Sequence, residues 1–207
     1  MQPVVFVHGF LDTWYAPWWG RMAKHFKRLG LVPDEIHAVD KGLVPGTTVR
    51  SPRDYAELVR EEVEKAYDRH DERVNLVGHS MGGLDSRWYV EQLDGHEYVD
   101  TVVTLGTPHS GTLLSRWAFF TPGGRDMTMS SDLIRTLKRD GVADGVEYVA
   151  GWSPTDELVK PRRSAKLPES EDNVTNVNLG PMSHFEIQWR RSVFEKFADY
   201  LRGEDSG

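Results

Sequence analysis

The chain has 207 residues, no cysteine and a formal net charge of −7. That length suits one domain, 1–207, with a sizeable core. The missing cysteines exclude disulfides, thiol nucleophiles and cysteine-based zinc sites. The mildly acidic balance argues against a nucleic-acid partner. No run of about 18 apolar residues occurs, so no integral membrane segment is expected. The chain opens on Met1-Gln2-Pro3 and passes straight into an apolar run. As written it is expected to lack a signal peptide and to be soluble and cytoplasmic; a chain trimmed of its leader would read the same way and be secreted. Residues 203–207 read as a short frayed tail. The sequence sets no oligomeric state.

Val4-Val5-Phe6-Val7 is a continuous β-branched and aromatic run, the pattern of a strand buried on both faces in a parallel sheet. It ends in His8-Gly9-Phe10. Pro17 to Leu29 reads as a helix with Trp18, Met22 and Phe26 on one face and Gly30 closing it. Glu35 to Val39 is a second strand, and Asp40 to Arg50 a loop broken by glycine and proline. Ser51-Pro52 opens a helix with a capping serine and a proline in its first position. Its stripe of Tyr55, Leu58, Val59, Val63, Ala66 and Tyr67 keeps a period of about 3.6 residues and reads as core packing.

Val74 to Val77 is the third strand. It runs into Gly78-His79-Ser80-Met81-Gly82-Gly83, which fits the pattern G-x-S-x-G, and Leu84 to Leu93 reads as the helix beyond. A serine on such a sharp strand-to-helix turn is held in a strained conformation that stands its hydroxyl clear of the sheet. The glycines allow strand and helix backbones to pass where a Cβ would not fit. The helix then points its N-terminus at any negative charge forming nearby. Val99 to Leu105 is a fourth strand, ending in Gly106-Thr107-Pro108-His109-Ser110-Gly111. An irregular aromatic segment follows, in which Pro122-Gly123-Gly124 should break any helix. Ser131 to Arg139 is a helix, Val146 to Ala150 a strand, and Val174 to Leu179 the sixth and last strand. Phe185 to Leu201 reads as one closing helix with Phe185, Trp189, Phe194, Phe197 and Leu201 inward. Strands alternating with helices predict an α/β fold on a parallel sheet, with helices on both faces. Working residues should gather at the carboxyl ends of its strands.

Ser80, Asp156 and His184 each fall just beyond such an end. A serine hydroxyl needs a neighbouring base to become nucleophilic, histidine serves near neutral pH, and a buried carboxylate fixes its tautomer. The resulting oxyanion needs two preorganised N–H donors. Met81, directly after the serine, and Phe10, after the first strand, are placed to supply them. Glu157 rivals Asp156 as the acid. His8, His79 and His109 read as structural histidines near the same pocket. His25, His37, His70 and His96 lie in surface-like contexts without metal-ligand spacing. Asp85 reads as a helix-surface residue or one supporting the site, and Arg162-Arg163 as a solvated pair.

With these motifs the chain resembles the α/β-hydrolases, especially the small lidless lipases and esterases of bacteria and archaea. The likeness rests on Val7-His8-Gly9-Phe10, on Gly78-His79-Ser80-Met81-Gly82-Gly83, on Thr104-Leu105-Gly106-Thr107-Pro108-His109-Ser110-Gly111, and on the aspartate and histidine after the last two strands. It implies a Ser80 nucleophile, a His184 base, an Asp156 orienting acid and oxyanion donors on Phe10 and Met81. It also implies a minimal fold without the first two strands of larger members. Two features depart from the pattern. The turn Gly180-Pro181-Met182-Ser183 is poorer in glycine than expected, and the calcium ligands of larger relatives have no counterpart.

The implied activity is hydrolysis of short- to medium-chain acyl esters or acylglycerols through an acyl-enzyme, with no cofactor and no metal. An amide or thioester hydrolase, or a non-catalytic lipid binder on the same scaffold, is the alternative. Leu11, His79, Leu113, Leu114, Trp117 and Phe120 are expected to line the substrate pocket, the aromatic residues forming a fixed apolar wall. Neither Ser110–Met129 nor Pro161–Asn173 reads as a hinged lid, so the groove should be open.

Overall fold

The computed structural model describes residues 2–42, 44 and 46–202. The tail expected at 203–207 lies outside them. Among the described residues six strands form: β1 (Val4–Val7), β2 (Ile36–Ala38), β3 (Val74–His79), β4 (Val99–Leu105), β5 (Glu147–Trp152) and β6 (Val174–Asn178). They make one sheet in the order β2-β1-β3-β4-β5-β6, and every pairing is parallel.

The apolar runs work on both faces at once. Successive side chains of a strand point to opposite sides, so Val4 and Phe6 enter one core while Val5 and Val7 enter the other. The first core is closed by α1 (Pro17–Arg28), through Trp19, Met22 and Phe26, together with Phe194 and Phe197 from near the C-terminus. The second is closed by α2 (Pro52–His70) and α3 (Met81–Gln92), through Val59, Val63, Tyr89 and Val90. Burying side chains of this size stabilises the fold by about 1.5–3 kcal/mol each. α2 starts as its sequence predicts, with the Ser51 hydroxyl accepting the Arg53 N–H. On α1, Trp19 is buried in the core, and the half-buried Trp18 packs against it.

α3 begins immediately after Ser80, three residues before the sequence predicts. Its first turn is Met81-Gly82-Gly83, which carries little helix propensity and is helical because the backbones around it demand it. A Cβ on Gly82 would lie 2.1 Å from the Val7 carbonyl oxygen, and one on Gly83 would lie 2.0 Å from the Thr107 hydroxyl.

Two other segments differ from expectation. Leu113–Ala118 is a 3-10 helix, followed by a short α4 (Pro122–Asp126) where Pro-Gly-Gly was expected to forbid one. The proline occupies the first helical position, where its missing N–H costs nothing, and Thr121 caps the Gly124 N–H. A Cβ on Gly124 would sit 1.9 Å from the Ala118 carbonyl oxygen, so the glycine serves close approach. After α5 (Asp132–Asp140), the expected single closing helix is broken. A 3-10 turn at Glu186–Gln188, α6 (Arg191–Phe197) and a second 3-10 turn at Tyr200–Arg202 replace it. The step from Trp189 to Phe194 is too long for one helical stripe, and Arg190 is extended there with ψ 128. Ile187 is buried in place of the exposed Phe185. Among the described residues no helix is long and apolar enough to cross a membrane.

These contacts separate two kinds of glycine. Gly82→Ala should destabilise by roughly 1–3 kcal/mol or more through overpacking. Gly20→Ala, on the open side of α1 with nothing within 4 Å, should instead stabilise by about 0.5–1 kcal/mol. Urea denaturation of both variants gives the comparison.

Candidate active site

The site grows from the end of β3. Ser80 has φ 54 and ψ −125, a conformation that costs a non-glycine residue about 1–3 kcal/mol. The turn is held by the Ser80 N–H donating to the Leu105 carbonyl of β4 at 2.9 Å and by the Gly83 N–H donating back to the Ser80 carbonyl at 3.1 Å. Ser80 remains partly exposed. It opens into a cavity of about 570 Å³, which His184 also lines.

His184 follows β6, and its partner follows β5. The His184 Nδ1 donates to Asp156 Oδ2 at 2.8 Å. The other oxygen, Oδ1, accepts the Leu158 and Val159 N–H groups at 2.8 and 2.9 Å. Burial alone would raise the Asp156 carboxyl. The bond to His184 and the two backbone donors outweigh burial and hold it below the ordinary carboxylate range. Gly106, at the end of β4 with φ +58, makes room for the pair. A Cβ there would lie 3.1 Å from Asp156 Oδ2 and 3.3 Å from His184 Nδ1. Glu157 is exposed and holds the backbone instead, its Oε2 accepting the His184 main-chain N–H at 3.0 Å. The glycine-poor turn before His184 is pinned by side chains. Ser153 accepts the Met182 N–H and donates to the Met182 carbonyl, to which Thr155 also donates.

The two candidate oxyanion donors flank Ser80. Met81 is the first residue of α3, so its N–H is among those an α-helix leaves without an intrahelical partner. Phe10 is brought alongside by Gly9, on which a Cβ would lie 3.0 Å from the Ser80 Cβ. Leu11, with φ 59, and Phe10 both line the cavity.

Three buried histidines surround this centre in neutral form. His79 donates through Nε2 to the His184 carbonyl at 3.0 Å, tying the two turns together. Burial first, then the nearby His184, pushes its pKa far down. His8 is lowered to about 3 by burial and by Lys41. His109, bonded to Thr104 and beside Arg87, is pushed far down mainly by burial. His8 and His109 do not reach the cavity. His37, expected at the surface, is instead wedged between Glu62 and His70.

The structure divides the residues expected at the pocket. Leu11, His79 and Leu114 line the cavity, but Leu113, Trp117 and Phe120 do not. The 3-10 segment turns Leu114, Ser115 and Ala118 inward and sends Trp117 and Phe120 into solvent. The apolar lining comes largely from elsewhere, including Tyr15, Trp18, Met127, Val159 and Phe185. Among the described residues no group of three or more His, Asp or Glu is arranged to hold a metal ion.

One feature at the site was not anticipated from the sequence. Lys41, from the loop after β2, is fully buried and donates both to the His8 carbonyl and to Asp85 on the second turn of α3. Its Nζ also lies 5.1 Å from the centre of the Tyr55 ring. The available signal was α3 itself: a helix this buried cannot leave Asp85 unpaired.

A serine on a positive-φ turn at the carboxyl edge of an all-parallel sheet marks the α/β-hydrolases, and the solved structures agree. The chain superposes on a mature lipase of Bacillus licheniformis with TM-score 0.79 and 21% identity, covering 97% of this chain and 91% of that one. Lipase B of Aspergillus fumigatus gives 0.75 and 20%, over 97% and 52%. A monoacylglycerol lipase of Paleococcus ferrophilus gives 0.70 and 15%, over 97% and 93%. At these identities the likeness is one of fold. Residues 3–137 match the palmitoyl protein thioesterase family, and the chain belongs to it. A curated relative, a GPI inositol-deacylase of Candida albicans, is 29% identical over 161 residues, 73% of this chain; the chain spans only 36% of that protein's length. The chain thus combines membership of the palmitoyl protein thioesterase family with the fold of the lipases and esterases.

The Lys41–Asp85 pair gives a stability test. Burial raises the Asp85 carboxyl to about 6, against the pull of Lys41, and lowers the Lys41 ammonium. Without Lys41 the carboxyl rises further. A carboxyl whose folded pKa exceeds its unfolded value binds more protons in the native state, so its contribution to stability falls as pH rises through that range. Lys41→Met should thus cost about 3–5 kcal/mol near about pH 8, and less near about pH 5, where Asp85 takes a proton. Thermal denaturation at the two pH values measures the difference.

Proposed function

We propose that this chain hydrolyses acyl esters of lipid-like alcohols through a covalent acyl-enzyme on Ser80. The observation that carries the reading is the Asp156–His184 bond through Nδ1. It leaves the opposite ring nitrogen, Nε2, for a residue of the cavity, and Ser80 lines the same cavity. In the first half-reaction His184 Nε2 takes the Ser80 proton as the Oγ attacks the acyl carbon. The Phe10 and Met81 N–H groups stabilise the oxyanion. The intermediate collapses, and the departing alcohol or thiol receives that proton from His184. Water, deprotonated by the same nitrogen, then attacks the acyl-Ser80 ester; as the C–Oγ bond breaks, His184 returns that proton to Ser80 Oγ and the acid leaves. Asp156 keeps the imidazole in the tautomer with the proton on Nδ1 and stabilises the imidazolium.

The substrate class follows from the walls. The cavity is mostly apolar and falls within the range of about 300–1,000 Å³ found for small-molecule sites, which suits an acyl chain of short to medium length. A second reading, thioester hydrolysis, is favoured by the family match at 3–137. The family and the Candida albicans deacylase are both named for removal of an acyl group.

Ser80→Ala should abolish turnover of p-nitrophenyl esters while the fold persists, with His184→Ala about as damaging. Asp156→Asn should lower kcat by about 10⁴-fold by favouring the wrong tautomer, whereas Glu157→Gln should cost far less. The reverse ranking would transfer the orienting role to Glu157. Running the same enzyme on matched oxygen esters and thioesters of increasing chain length ranks the two substrate readings.

A further inference from the structure

The segment beside the cavity has a second face. Leu114, Ser115 and Ala118 line the cavity, but Leu113, Trp117, Phe119 and Phe120 project outward with 53, 83, 55 and 83% of their surfaces exposed. This is not a loose flap. At one end the Thr112 hydroxyl donates to the Leu158 carbonyl and accepts the Lys160 N–H. At the other the Thr121 hydroxyl donates to the Ala118 carbonyl and accepts the Gly124 N–H. The base is anchored while the aromatic tips stand free. Two exposed cations flank them. Arg116 shares a shallow cleft with Leu113, Phe119 and Met129, and Arg125 lies against the Phe120 carbonyl.

We propose that this tip is a membrane-docking wedge. Trp117 and Phe120 enter the interfacial layer of a lipid bilayer, Arg116 and Arg125 meet anionic headgroups, and the mouth of the cavity is set down on the lipid surface. Two observations favour a bilayer over a protein partner. Aromatic residues beside arginines are the composition of interfacial anchors, which bury apolar bodies and keep charge at the headgroups. Secondly, the two exposed cations beside the aromatic tips give a chain of net charge −7 a local complement to an anionic surface. The docking claim stands apart from the hydrolysis reading, since Trp117 and Phe120 do not line the cavity.

The test is co-sedimentation of the full chain with vesicles of phosphatidylcholine, with and without phosphatidylserine, at low salt. Wild type should bind, and more tightly when phosphatidylserine is present. Trp117→Ser/Phe120→Ser should reduce partitioning by about tenfold or more, with melting temperature and turnover of a soluble short-chain ester unchanged. Arg116→Glu/Arg125→Glu should remove only the preference for phosphatidylserine, so the wedge remains testable should the aromatic variant fold poorly. Absent binding by wild type, or equal binding by the aromatic variant, would overturn the proposal. So would a wild-type dimer in gel filtration that the aromatic variant dissolves, because the tip would then be a contact between copies of this chain. Loss of ester turnover in the wild type would strike the hydrolase reading alone.

Discussion

The approach of the first turn of α3 to the end of β1 is the constraint on which the rest of the structure depends. The Gly82 backbone lies so close to the Val7 and His8 carbonyls that no Cβ fits between them. A strand and a helix this near can be joined only by a sharp reversal, and Ser80 takes it in a positive-φ conformation. That reversal leaves the serine at the cavity floor. It sets the Met81 amide at the open end of a helix and fixes where β1 must hand over to the Phe10 loop. Side-chain chemistry enters only after backbone packing has decided these positions.

Much of this was legible in the sequence, for identifiable reasons. The strands stood out because parallel strands covered on both faces must be apolar throughout, as Val4–Val7 and Val99–Leu105 are. Ser80, Asp156 and His184 stood out because each lies within a few residues of a strand's carboxyl end. What escaped was set by distant partners. α3 starts on glycines that argue against a helix locally. The aromatic segment was correctly seen as apolar, but a 3-10 turn decides which side chains face in, and no periodicity reveals that over six residues. Lys41 lay in a loop whose partners, His8 and Asp85, are 33 and 44 positions away. The break before α6 has its trace in the uneven spacing of Trp189 and Phe194.

Burial sorts the histidines. Of the four fully buried ones among the described residues, His8, His79 and His109 are driven toward the neutral form by desolvation. They therefore act as hydrogen-bonding spacers. His184 alone of these pairs with a carboxylate, and that carboxylate is stabilised as an anion by two backbone donors.

The Lys41 ammonium joins three stretches that are remote along the chain: the loop after β2, the carbonyl at the end of β1 and the start of α3. A charge with no exposed surface cannot lose one of these partners and keep the others without leaving a bare ion inside the protein. Opening any of the three therefore requires opening all. In amide hydrogen exchange the turn beyond β1, the loop containing Lys41 and the first turns of α3 should behave as one cooperative unit, whose protection is set by the whole assembly rather than by the weakest loop in it.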